Sequence, residues 1–105
     1  MHARVTLVEV DMMRSSVEEA LELYKENVLP QLHEQDGFQG VVMMATPDGK
    51  GIVMSLWETA EQAKANEEAG FYEETLARFV TLFAAPPGRE SYEIVYADVP
   101  AVAVR

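Results

Sequence analysis

The sequence predicts an α+β fold in the order β-α-β-β-α-β. This is a ferredoxin-like arrangement: a four-stranded antiparallel sheet with both helices on one face. Three observations predict it. Residues 37–57, GFQGVVMMATPDGKGIVMSLW, read as a strand, a tight turn and a second strand. Two Ser/Thr-x-x-Glu/Gln signatures mark helix starts, one before the hairpin and one after it. Short apolar or alternating runs stand near both ends of the chain.

Arg4–Asp11 is the first strand, with Val5, Leu7, Val8 and Val10 in a largely β-branched run. Ser16-Val17-Glu18-Glu19 has the spacing of a capping box and opens the first helix. Val17, Leu21, Tyr24, Val28 and Leu32 then recur at steps of three and four, which makes one apolar face. Pro30 removes a backbone donor inside this helix and kinks its last turns. Gly37 is its stop. Phe38–Thr46 and Ile52–Trp57 form the hairpin, joined by Thr46-Pro47-Asp48-Gly49-Lys50-Gly51 with its turn residues in order. Thr59-Ala60-Glu61-Gln62 is the second capping box. Gly70 interrupts that helix. It resumes with Tyr72, Leu76, Phe79, Val80 and Phe83 on one face and ends at Ala84-Ala85-Pro86-Pro87-Gly88. Ser91–Asp98 is the fourth strand, followed by a short apolar tail over residues 99–105.

The 105 residues fit one domain spanning 1–105. Such a chain buries only roughly 60–65% of its unfolded surface, so its core is thin and gains from oligomerisation. The hydrophobic content of 49% is that of a folded protein. Eighteen acidic residues against eight basic ones leave a net charge of −10. Phosphate neutralisation needs clustered Lys and Arg, so neither nucleic acid nor an anionic membrane is an expected partner. There is no cysteine, which excludes disulfides and thiolate chemistry. No apolar run approaches the roughly 20 residues of a membrane span, and the N-terminus does not read as a signal peptide. A cytoplasmic location is the expectation.

The hairpin is apolar on both sides. In its first strand Phe38, Val42 and Met44 alternate with Val41, Met43 and Ala45. In its second, Ile52, Met54 and Leu56 alternate with Val53, Ser55 and Trp57. A sheet with one wet face alternates with polar residues instead. With no third helix available to cover the second face, a second copy of the sheet is the expected cover. The chain is therefore expected to form a homodimer through its sheet face.

DGFQG at the start of the second strand, SLWETAEQAKA at the strand–helix junction and FYEETLARFVTLFAAPPGRESYEI leading into the last strand resemble the antibiotic biosynthesis monooxygenase family. The resemblance runs over nearly the whole chain. It implies a dimeric α/β barrel with a ligand pocket between sheet and helices in each subunit. It also implies a cofactor-independent monooxygenase acting on a small aromatic molecule of the quinol or anthrone type. A non-catalytic small-molecule-binding or stress-associated module on the same fold is the alternative, and a heme-binding member a second one. Trp57 matches the tryptophan that closes the third strand in the family. Where the anthrone oxygenases carry an asparagine in that strand and a tyrosine in the following helix, this chain has Val53 and Ala63. The heme-degrading branch uses an asparagine in the first strand, a helical tryptophan and a helical histidine; here the first strand has no asparagine, and Asn66 and Thr75 or Leu76 stand near the other two positions.

Trp57 reads either as an aromatic cap on the core or as a pocket wall against a flat ligand. Phe71, Tyr72, Phe79 and Phe83 have the spacing of a core stripe, though Phe71 and Tyr72 follow the Gly70 break, where a pocket entrance can lie. Met54 on the hairpin is core, interface or flexible pocket lining. His33 complements the end of the first helix, or serves as a base at the pocket mouth. The candidate catalytic groups are thus Trp57, His33 and Tyr72, and the candidate ligand contacts are Phe71, Phe79, Met54 and Arg78. Two distant histidines make no metal site, and no phosphate loop or dinucleotide fingerprint is present. No metal or cofactor is expected.

Overall fold

A computed structural model describes residues 1–100. The elements are β1 (His2–Glu9), α1 (Val17–Asn27), α2 (Leu29–Leu32), β2 (Phe38–Ala45), β3 (Lys50–Trp57), α3 (Ala60–Glu68), α4 (Phe71–Phe79) and β4 (Gly88–Glu93). The sheet runs β2-β3-β1-β4, with every neighbouring pair antiparallel. This is the ferredoxin-like order that the sequence predicts, with each expected helix divided in two.

Both divisions have a local cause. Pro30 lacks the N–H that would reach back to Glu26, so α1 ends at Asn27 and α2 begins beyond Val28. Gly70 takes φ +88°, a left-handed conformation costly for residues with a Cβ, and turns the chain between α3 and α4. The two helix starts also differ. Thr59 and Gln62 form both halves of a capping box. Ser16 accepts the Glu19 N–H, but the Glu19 carboxylate takes the Ser15 hydroxyl at 3.0 Å instead of closing the box.

Strand limits shift with register. β1 starts two residues earlier than expected and pairs His2 with Trp57 and with Glu93 on its two sides. β4 accordingly occupies Gly88–Glu93 rather than Ser91–Asp98, and the last bond of this ladder joins the Ile94 N–H to the Met1 carbonyl at 2.8 Å. Val95 and Tyr96 lie beyond it and are exposed. Residues 101–105, most of the expected tail, are outside the described residues.

A bulge between Phe38 and Gly40 changes which residues of β2 face the helices. Phe38 pairs with Trp57, and its ring meets the indole edge-on at 5.6 Å. It therefore faces inward with Val41 and Met43, not outward with Val42 and Met44 as strict alternation implies. The core gathers Tyr24, Val28, Leu32, Trp57, Ala63 and Phe79. Trp57, with no exposed surface, is its largest side chain.

Candidate functional site

The helix-facing side of the sheet does not pack flush against the helices. A cavity of about 220 Å³ remains between β1 and β3 on one side and α1 and α4 on the other. Its wall is mostly apolar, with Val8, Val53, Val28, Phe71 and Phe79 among its lining. Arg4, Thr6, Ser55, Tyr24, Tyr72 and Thr75 supply its polar groups. Among the described residues no histidine and no carboxylate lines it.

Strand alternation creates the polar part. Arg4 pairs with Ser55 across β1 and β3, so both point to the helix side, and Thr6 follows two residues on. Arg4 is 4% exposed. Its Nη1 donates to Asn66 Oδ1 at 3.0 Å and to the Ala63 carbonyl at 3.5 Å. The guanidinium also lies 4.3 Å from the Tyr72 ring centroid and 5.1 Å from that of Trp57. Among the described residues no carboxylate bonds to it. Glu67 acts on it at longer range, and its own carboxylate binds Arg89 at 2.9 Å. Burial lowers the Arg4 pKa from its ordinary value, partly offset by Glu67. Asn66 is fixed in turn by Gln35, whose Oε1 accepts from its Nδ2 at 3.0 Å.

Two tyrosines border the cavity in different ways. The Tyr72 hydroxyl shares a 2.6 Å hydrogen bond with Thr6 Oγ1. Its ring lies against Arg4 and, at 5.3 Å, against Arg89. The Tyr24 hydroxyl has no protein partner among the described residues. Burial pushes its pKa up to about 12, so it stays an O–H donor at neutral pH.

Of the seven residues singled out in the sequence, Phe71, Tyr72 and Phe79 line the cavity. Trp57 stands behind the lining. Its indole N–H donates to Ser55 Oγ at 2.9 Å. Met54 pairs with Val5 and Val42 and belongs to the opposite face of the sheet, because it is one residue out of phase with Val53 and Ser55. His33 is exposed at the end of α2 with its ring edge-on to Phe38 at 5.5 Å, outside the cavity. Arg78 is exposed on α4 and does not reach it. The residues that sequence reading missed are Arg4, Thr6, Tyr24, Ser55 and Asn66. The alternation of Arg4 and Thr6 in a strand expected to be covered on both faces was the available signal. Among the described residues no group of three or more histidines and carboxylates is placed to hold a metal ion.

No protein-family model matches the sequence, and neither does any curated protein. Solved structures do match. A monooxygenase from the gene ActVA-Orf6 of Streptomyces coelicolor, in complex with nanaomycin D, superposes with a TM-score of 0.76 at 21% identity, covering 95% of this chain and 92% of that one. SnoaB, a cofactor-independent oxygenase from Streptomyces nogalater, gives 0.70 at 12% identity, covering 91% and 94%. A Nitrosomonas europaea protein provisionally described as an antibiotic biosynthesis monooxygenase gives 0.71 at 16%, covering 91% and 100%. At these identities the likeness is one of fold, and the chain has the ferredoxin-like fold of structures described as antibiotic biosynthesis monooxygenases.

Proposed function

We propose that the protein binds a small aromatic molecule in the cavity between sheet and helices, and that its chemistry is cofactor-independent oxygenation of a quinol- or anthrone-type ring. The observation that carries this reading is the lining, an apolar wall interrupted by one compact group of donors around Arg4. An apolar pocket with a few convergent polar groups is the usual make-up of a ligand site. At about 220 Å³ the cavity is smaller than the roughly 300–1,000 Å³ of most such sites, so the ligand it fits is small. The fold shared with a cofactor-independent oxygenase supports the reaction class.

In this reading the substrate supplies the electrons. Its deprotonated ring passes one electron to O₂, and the ring radical and superoxide combine into a hydroperoxide. Loss of water then leaves a quinone, so an anthrone and one O₂ yield one quinone and one water. The protein's part is to exclude water and to favour the ring oxygen as an anion. Arg4 and the Tyr24 O–H are the donors available. Tyr72 and Trp57 hold the guanidinium in place through their rings.

An oxygen electrode with one-, two- and three-ring quinols tests this. Uptake matched to quinone formed, with no hydrogen peroxide released, supports it. Binding without uptake assigns a non-catalytic small-molecule binder, the reading favoured by a lining without histidine or carboxylate. The outer sheet face supports the homodimer. Leu7, Ile52 and Met44 form one apolar row across three strands, and Val5, Met54 and Val42 form the next. Leu7, Val42 and Met44 are 40–50% exposed, and a second copy of the same face would cover them.

A further inference from the structure

We infer that the cavity selects an acidic ligand, one whose ionised oxygen, carboxylate or phenolate, pairs with the Arg4 guanidinium. The inference rests on the cavity being the ligand site. Four observations carry it.

First, Arg4 is a cation buried to 4% exposure with, among the described residues, no carboxylate bonded to it. An unpaired buried charge is costly, and proteins keep one where something pairs with it in use. Second, the guanidinium is only partly used. Its two protein hydrogen bonds both leave from Nη1. Among the described residues Nε and Nη2 have no hydrogen-bond partner, and Arg4 borders the cavity. Third, it is held in position. Asn66 fixes one nitrogen, and the guanidinium carbon lies over the Tyr72 and Trp57 rings, so little conformational freedom is lost when a planar oxyanion arrives. Fourth, among the described residues no histidine or carboxylate lines the cavity to take a proton from a neutral ligand. A ligand that binds as an anion must therefore be an acid already, or be ionised by the guanidinium's own field. With a net charge of −10 the protein as a whole repels anions, so the preference has to come from Arg4 itself.

Isothermal titration of the full chain with matched probes decides the matter. The probes are benzoate against benzamide, 2-naphthoate against 2-naphthamide, and 2-naphthol below and above its own ionisation. The expected result is that a carboxylate binds at least about tenfold tighter than its amide, the scale of one charge-assisted pair. If phenolate is the natural source, 2-naphthol tightens on ionisation by a similar factor. In Arg4→Met the preference collapses to within about twofold while amide binding persists. In Arg4→Lys, which keeps the charge and guards against a folding defect, part of the preference survives. Equal affinity for acid and amide in the wild-type protein overturns the inference and leaves the cavity as a ligand site, as does a preference that survives in Arg4→Met. Binding of none of the probes overturns the ligand-site reading, and this inference with it.

Discussion

The two faces of the sheet are built from the same strands, yet they reverse the usual relation of polarity to burial. On the helix side, Arg4, Thr6 and Ser55 are polar and 4–7% exposed. On the outer side, Leu7, Val42, Met44 and Tyr92 are apolar and 40–51% exposed. A lone sheet packed on helices places apolar residues inside and polar ones in water. The reversal is informative on both counts. Buried polar groups beside an apolar cavity are what a ligand site needs, and exposed apolar rows are what a protein interface needs. In the proposed reading the inner face takes a small molecule and the outer one a second chain.

The harshest way to break the inner face is to remove its anchor. Trp57→Ala empties the largest fully buried side-chain position and loses the edge-on contact with Phe38 and the hydrogen bond to Ser55. Urea denaturation should show a loss of about 3–5 kcal/mol, a large part of a small domain's stability. A loss below about 1 kcal/mol would mean that the indole does not support the cavity wall.

The outer face is tested by Val42→Asp. Its position is 44% exposed in the single chain, so the monomer should tolerate the change. In a dimer built sheet to sheet, the symmetry places two unpaired carboxylates in one apolar interface. Light scattering should find the dimer weakened by at least about a hundredfold in Kd, which is about 2.7 kcal/mol. An unchanged assembly places the interface elsewhere and removes half of the comparison.

Tyr24 sharpens the inner face through pH. The unfolded tyrosine ionises near 10.0 and the folded one at about 12, because burial disfavours the phenolate. The folded state therefore holds the proton more tightly. Its contribution is fully present below pH 10 and fades as pH rises through 12. Denaturation between pH 9 and 12 should show a fall on the order of 2 kcal/mol that Tyr24→Phe largely removes. A wild-type curve that Tyr24→Phe matches at every pH would show that the hydroxyl is not desolvated.

The smallest expected effect is that of Thr6→Val. It removes the partner of the Tyr72 hydroxyl while keeping the side-chain shape. A cost of about 1 kcal/mol is expected, with near-additivity lost when Tyr72→Phe is combined with it, as a double-mutant cycle in urea would show. Full additivity would deny the coupling between strand and helix.

Much of the fold was legible because its signals are local. Thr59 and Gln62 cap a helix wherever they occur in this spacing, and Pro30 and Gly70 interrupt helices through their own backbone chemistry. Less of the site was legible. Phe71, Tyr72 and Phe79 follow helical periodicity and were found on the cavity. His33 and Arg78 have suitable chemistry, but their helix positions leave them in solvent. Met54 missed the cavity by one step of strand alternation, and Arg4 entered it by the same rule.

By itself the sequence determined the element order, the two interrupted helices, the hairpin and the excess of apolar residues over what one sheet face can bury. Each follows from interactions between residues a few positions apart. Only the tertiary structure decided which set of alternating residues meets the helices. It turned Arg4 and Thr6 inward and Val5 and Leu7 outward, and the bulge at Gln39 moved Phe38 onto the Trp57 side. Alternation is symmetric within a strand. The two faces become different only when the crossover from β1 through the helices to β2 lands on one of them, and that depends on loop lengths and register across the whole chain.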